Sequence, residues 1–140
     1  KKRKYEEVKI AYEHNWNHIH WHTLESNYRS SPYFEFYEDH FEPFYQKEYE
    51  TLFDLNVEMF KLINKLLGLD IKYSFTETFS KTIAEDTDDF RGFFMPNIET
   101  EAYKRQEYIQ VFSSRNGFFS NLSILDLLFC EGPNAVSYLK

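Results

Sequence analysis

Residues 121–132, NLSILDLLFCEG, allow few structures. Leu122, Ile124, Leu125, Leu127, Leu128 and Phe129 leave almost no polar face, so a helix here must be buried nearly all round. Asn121 suits its N-cap, although Asn121-Leu122-Ser123 also matches a glycosylation sequon. Gly132 followed by Pro133 suits its end. The misfit is Asp126. A carboxylate in such a segment must be paired, accept backbone donors or be protonated, because an unpaired buried charge is too costly. Arg29, Arg91 and Arg115 are the candidate partners. Asp126 is then either an anchor for the helix or an acid or base lining a pocket.

One such helix needs a core to enter, and 140 residues suffice for a single domain over 1–140. Rings supply much of that core: 15 Phe and 11 Tyr suggest aromatic packing and an aromatic-lined cleft. Asn15 can cap a helix running to Arg29, with Trp16, Ile19, His20, Leu24 and Tyr28 on one face. Ser31 and Pro32 suit the start of a short helix. A stripe from Tyr45 through Tyr49, Leu52, Phe53, Phe60 and Ile63 to Leu67 predicts one long helix over 43–67, about 37 Å of rise, closed by Gly68. Alternating segments at 8–12, 71–76 and 108–112 read as short strands. Residues 80–97 read as loop and irregular helix. The expected class is α+β, a mainly helical chain with a few short strands. For a longer protein containing it, α/β is the alternative.

Charge narrows the partners. A formal net charge of -7 makes a poor general binder of nucleic acid or of an anionic membrane. The basic run at 1–4 reads as a solvated tail. No apolar run approaches the ~20 residues of a membrane-spanning helix. The single cysteine, Cys130, forbids an internal disulfide and fits a reducing, cytoplasmic setting. It reads as a small buried hydrophobe, not a nucleophile, since no base accompanies it.

His18 and His22 share a helix face, with Glu25 three residues on, a spacing that can bind zinc or iron. A metalloprotease pattern would put Glu directly after the first histidine, where Ile19 stands, so a solvated polar face is the better reading. His20 lies on the apolar face, either as a hydrogen-bonded core residue or as a general base facing a cleft. The acidic group from Glu85 to Asp89 lacks calcium-loop spacing, and neither a phosphate-cradling glycine pattern nor a redox cysteine pair occurs. No cofactor is expected.

Two segments carry a family resemblance. The first is Trp16-x-x-x-His20-Trp21-x-x-Leu24-x-x-x-Tyr28-x-x-Ser31-Pro32-Tyr33-Phe34. The second runs from Asn121 through Asp126 to Glu131-Gly132-Pro133. With Phe41-x-Pro43-Phe44-Tyr45 and Leu66-Leu67-Gly68 between them, they resemble the WbqC-like family of bacterial proteins, associated with surface polysaccharides such as O-antigen. The family's opening strand, its Tyr/Pro-rich loop and a basic aromatic stretch are absent, so this chain corresponds to the C-terminal two-thirds of such a domain. Relatives commonly carry Asn at the position of Cys130, and the pair His18 and His22 lies outside the pattern.

The resemblance implies a cytosolic enzyme or accessory factor handling nucleotide-linked sugars, with transfer of an acyl or aminoacyl group to an amino sugar as the reaction. It touches His20 and Asp126 as catalytic candidates, and Tyr28, Tyr33 and Asn121 as substrate-binding ones. The expected partners are a nucleotide sugar or acyl donor, with self-association as a further expectation. The competing reading is a non-catalytic binding or assembly module that presents an aromatic surface.

Overall fold

The structure, a computed structural model, describes residues 4–82, 84, 86–91 and 106–139. It divides into two compact units, Lys1–Asp70 with Glu107–Lys140, and Ile71–Gln106.

The first unit is helical. Helix α1, Trp16–Tyr28, follows Asn15, which sits at φ 48° and offers no side-chain cap. Asparagine tolerates this left-handed conformation better than most residues, so Asn15 ends the preceding turn instead of capping. The turn after α1 closes through Ser31, whose Oγ donates to the Tyr28 carbonyl at 2.7 Å. Ser31 therefore does not cap a new helix. Helix α2, Phe34–Gln46, begins after Tyr33. Asn17 is buried and donates from Nδ2 to the Tyr45 carbonyl at 2.9 Å, which ties α1 to α2. Trp21 stacks on Phe34 at 6.0 Å in the same layer.

The predicted long helix is two helices. Lys47 turns extended after α2, and helix α3, Leu52–Leu66, starts afresh. Tyr49 turns inward and is gripped by the Tyr12 hydroxyl, which accepts from the Tyr49 N–H at 2.8 Å and donates to its carbonyl at 3.3 Å. Thr51 caps α3, its Oγ1 accepting from the Asp54 N–H at 3.1 Å. At the far end the Gly68 N–H reaches the Lys65 carbonyl and the Leu69 N–H reaches that of Asn64. With Gly68 at φ 66°, this is a complete Schellman cap, as the glycine predicts.

The expected strands do not form among the described residues. The segment at 8–12 makes one isolated antiparallel bridge, Lys9 to Thr51. Segments 71–76 and 108–112 carry neither helix nor strand. A strand needs a partner edge, and an alternating pattern supplies only one side of the ladder. The observed class is thus mainly helical.

After a single turn, α4 (Ser113–Asn116), the chain reaches α5, Ile124–Glu131. Its cap is Ser123, accepting from the Leu125 N–H at 3.3 Å, while Asn121 lies two residues outside. Gly132 opens a 3-10 segment, Gly132–Leu139. Phe129 of α5 is fully buried against the rings of Phe34, Phe41 and Tyr28. Burying a ring of this size contributes about 1.5–3 kcal/mol, so α5 is the core's centre.

In the second unit, Arg91 pairs with Asp89 at 3.0 Å and donates to the Ser80 carbonyl at 2.7 Å. Its described residues form no helix or strand. Ile83, Glu85 and residues 92–97, part of the predicted acidic loop, lie outside the described residues, as do residues 1–3 of the basic run.

Candidate functional site

Asp126 sits on the inner face of α5, only 3 % exposed. Its partner is none of the three arginines proposed for it from sequence. The Tyr108 hydroxyl donates to Asp126 Oδ2 at 2.7 Å. Arg29 is engaged instead by Glu25 at 2.8 Å and Glu38 at 2.6 Å, and Arg91 by Asp89. The Tyr108 ring is fixed edge-on by Tyr138 at 5.7 Å and Phe118 at 5.5 Å.

Two phenols answer this carboxylate. Burial pushes the Tyr28 phenol well above its ordinary value near 10, and the charge and hydrogen bonding of Asp126 push it further. Burial likewise raises Tyr108, a hydrogen bond with Gln110 opposes the rise, and Asp126 adds to it. Both phenols therefore stay protonated, as donors. The Cys130 thiol is pushed up to about 12, by burial first and by the Asp126 charge second. A thiol held so high is not a nucleophile near neutrality.

Asp126 faces a cleft of 370 Å³. One wall is α1, through Thr23, Leu24, Asn27 and Tyr28. The other is the segment 110–119. That wall is closed by buried Gln110, whose side chain copies a peptide: Nε2 donates to the Phe119 carbonyl at 2.8 Å and Oε1 accepts from the Phe119 N–H at 2.9 Å. The pair of bonds closes the 110–119 loop, from which Phe112, Asn116 and Phe119 line the opening.

The cleft unites two of the predicted site residues, Asp126 and Tyr28. His20 is not among its lining residues. It is exposed, with its ring against Trp16 at 5.1 Å and Tyr45 at 6.5 Å, so the apolar face assigned to it is the side of a neighbouring indole. Tyr33 lines another cavity, of 530 Å³, with Ser31, Gln110 and Cys130. Asn121 is exposed outside the cleft, although its neighbour Leu122 lines it. His18 and His22 border a third hollow, where His22 Nδ1 lies 3.0 Å from Glu25 Oε2. Among the described residues no three His, Cys, Asp or Glu side chains converge to hold a metal ion.

Tyr108 and Gln110 belong to the candidate site without any mark in the sequence. Tyr108 is one of 11 tyrosines with nothing to mark it. Gln110 sits between Ile109 and Val111, where alternation makes it look solvent-facing. Only its fit to the Phe119 peptide shows otherwise.

The raised phenols carry a pH consequence. The unfolded chain releases these protons near pH 10, whereas the folded chain holds them higher. Their contribution to stability is therefore complete below pH 10 and is lost as pH rises beyond it. In urea unfolding measured from about pH 9 to 12, Tyr28→Phe and Tyr108→Phe should each flatten the fall. A slope that neither change alters would show that the folded state does not hold these phenols.

The chain is thus a mainly helical protein with a carboxylate-floored, ring-lined cleft. No helix among its described residues is long and apolar enough to cross a membrane. The WbqC-like protein family model matches residues 1–91, about two-thirds of the chain, and the chain belongs to that family. The match takes in α1, α2 and α3, while α5 and Asp126 lie beyond it. No curated protein and no solved structure matches the chain.

Proposed function

We propose that this protein acts in bacterial surface-polysaccharide precursor synthesis, transferring an acyl or aminoacyl group to an amino sugar held in the cleft over Asp126. Family membership supports the setting, and the resemblance supplies the sugar chemistry. The observation that carries the site is the buried carboxylate aimed into a cleft rimmed by Tyr28, Phe112 and Phe119. Ring faces suit the apolar face of a sugar, and the carboxylate suits its amine or hydroxyls. As the new N–C bond forms, the donor's acyl–oxygen or acyl–sulfur bond breaks and its alcohol or thiol departs, and Asp126 is placed to take up the proton that the amine gives up. His20, if it acts as a base, serves a ligand extending out of the cleft, and Tyr33 and Asn121 would meet only such an extension. The working compartment in this reading is the cytoplasm.

A binding or assembly role is the second reading. The exposed rim around the Tyr33 cavity favours it, since Phe36 is 74 % exposed and Ile109 is 82 % exposed. Asp126→Asn separates the two. It weakens charge-assisted bonds at a cost of about 1–2 kcal/mol, or roughly 3–8 °C of melting temperature. In thermal-shift titrations with nucleotide-linked amino sugars, wild type should be stabilised and the variant should not. An equal ligand response in both proteins would remove Asp126 from the binding site.

A further inference from the structure

The cleft's lining is unbalanced in charge and in hydrogen bonding. Among the described residues, Asp126 is its only lining side chain with a formal charge at neutral pH. Among the described residues no lysine or arginine lines the cleft, and the phenol bond from Tyr108 brings no positive charge. Three of the neutral polar lining groups, Thr23, Asn27 and Gln110, turn a donor inward; Tyr28 spends its hydroxyl on Asp126, and Asn116 stands at the rim as the remaining amide. Thr23 gives its hydroxyl proton to the Ile19 carbonyl at 2.7 Å, and Asn27 donates from Nδ2 to the Thr23 carbonyl at 2.7 Å. Gln110 gives both ends of its amide to Phe119. The Thr23 oxygen, Asn27 Oδ1 and the remaining Asp126 lone pairs are acceptors. Tyr28, Phe112 and Phe119 add aromatic rings to the lining, and a ring attracts a cation placed over its face.

We infer that the cleft selects the charged ammonium form of its ligand, taking a free amino sugar in preference to the N-acylated or neutral sugar. An ammonium brings three donors and no acceptor, which complements this lining. A phosphate or carboxylate meets the opposite, so the nucleotide part of a nucleotide-linked sugar lies outside the cleft. The selection rests on the reading of the cleft as a sugar site and deepens it. The acceptor of an acyl transfer binds, and its product, having lost the charge, leaves. Occupancy of the cleft thereby distinguishes the two sides of the reaction.

The test compares four probes on the full chain at pH 6, by ligand-observed NMR and calorimetry: D-glucosamine, N-acetyl-D-glucosamine, D-glucose and ethanolamine. Glucosamine should bind at least tenfold tighter than either neutral sugar, and tighter than ethanolamine. Its affinity should fall as salt is raised. Asp126→Asn should bring the sugars to within about twofold of one another, judged against the size of a charge-assisted bond. Phe119→Ala, at a half-exposed position outside the core, should weaken glucosamine binding without loss of fold, so the proposal survives a failure of the Asp126 variant to fold. Equal binding of the three sugars overturns charge selection and leaves the sugar site standing. Ethanolamine as tight as glucosamine overturns the sugar site and keeps charge selection. Binding of none of the four overturns both.

Discussion

Gly132→Ala should destabilise the protein by about 3 kcal/mol or more, a large share of the ~5–15 kcal/mol that holds a typical domain together. Two independent effects act at this residue. Gly132 ends α5 at φ 56° and ψ -129°, a backbone conformation that an L side chain adopts only with strain of about 1–3 kcal/mol. An added Cβ would also stand 2.5 Å from Tyr33 Cδ1, 2.6 Å from Cγ and 2.7 Å from Cε1. The ring cannot simply swing free, because the Tyr33 N–H is bound to the Phe129 carbonyl at 3.0 Å. The cavity beside Tyr33 does give it somewhere to tilt, so the backbone strain sets the floor of the cost. Urea unfolding of Gly132→Ala, Tyr33→Ala and the double variant separates the effects. The double variant should recover the steric part and keep the strain. A Gly132→Ala variant within 1 kcal/mol of wild type would contradict this exit from α5.

Gly132 also shows how far the sequence reached. A glycine before a proline marks the end of a helix, and that much was legible, as was Gly68 at the end of α3. The ring of Tyr33, ninety-nine positions earlier, was not, because spacing along the chain says nothing about which distant side chain fills the space. The same division runs through the fold. The burial of α5 follows from local apolar spacing, and so does the existence of α1, but not its inner face: Ile19 and His20 are exposed while Asn17 and Trp21 are buried. The break between α2 and α3 does not, because the apolar stripe continues in register across it. The local sign was Thr51-x-x-Asp54, a helix-start pattern inside the apparent helix, and the cause was the long-range grip of Tyr12 on Tyr49. The short strands failed for the complementary reason: each has the right alternation, but among the described residues 8–12 finds only the single bridge from Lys9 to Thr51, and 71–76 and 108–112 form no ladder.

At the cleft, Asp126 was identifiable as an acid in the wrong place. From sequence an arginine is the expected partner, because an opposite charge is the commonest remedy. Among the described residues its partners are phenols instead, which donate hydrogen bonds to the carboxylate and carry no positive charge. A carboxylate stabilised but not neutralised, at the floor of a cleft, is suited to a cationic ligand.

Phe129→Ala should be the most damaging core substitution, at about 3–5 kcal/mol. The ring is 0 % exposed and meets three others, with centroids 5.1 Å from Tyr28, 5.1 Å from Phe34 and 5.5 Å from Phe41. Those three belong to α1 and α2, so one side chain of α5 joins all three helices. A methyl group in its place leaves a cavity that close-packed neighbours fill only in part. Phe129→Leu keeps most of the volume and should cost less than half as much. Function should follow the same ring, because Tyr28 rests on Phe129 on one side and lines the cleft on the other. In Phe129→Leu, which should remain folded, a loosened Tyr28 predicts weaker glucosamine binding with the preference over N-acetylglucosamine retained, since Asp126 and Tyr108 are untouched. Asp126→Asn predicts the reverse, with the preference lost and stability only modestly lowered. If Phe129→Leu instead abolished the preference, charge selection would reside in the packing of the cleft and not in its carboxylate.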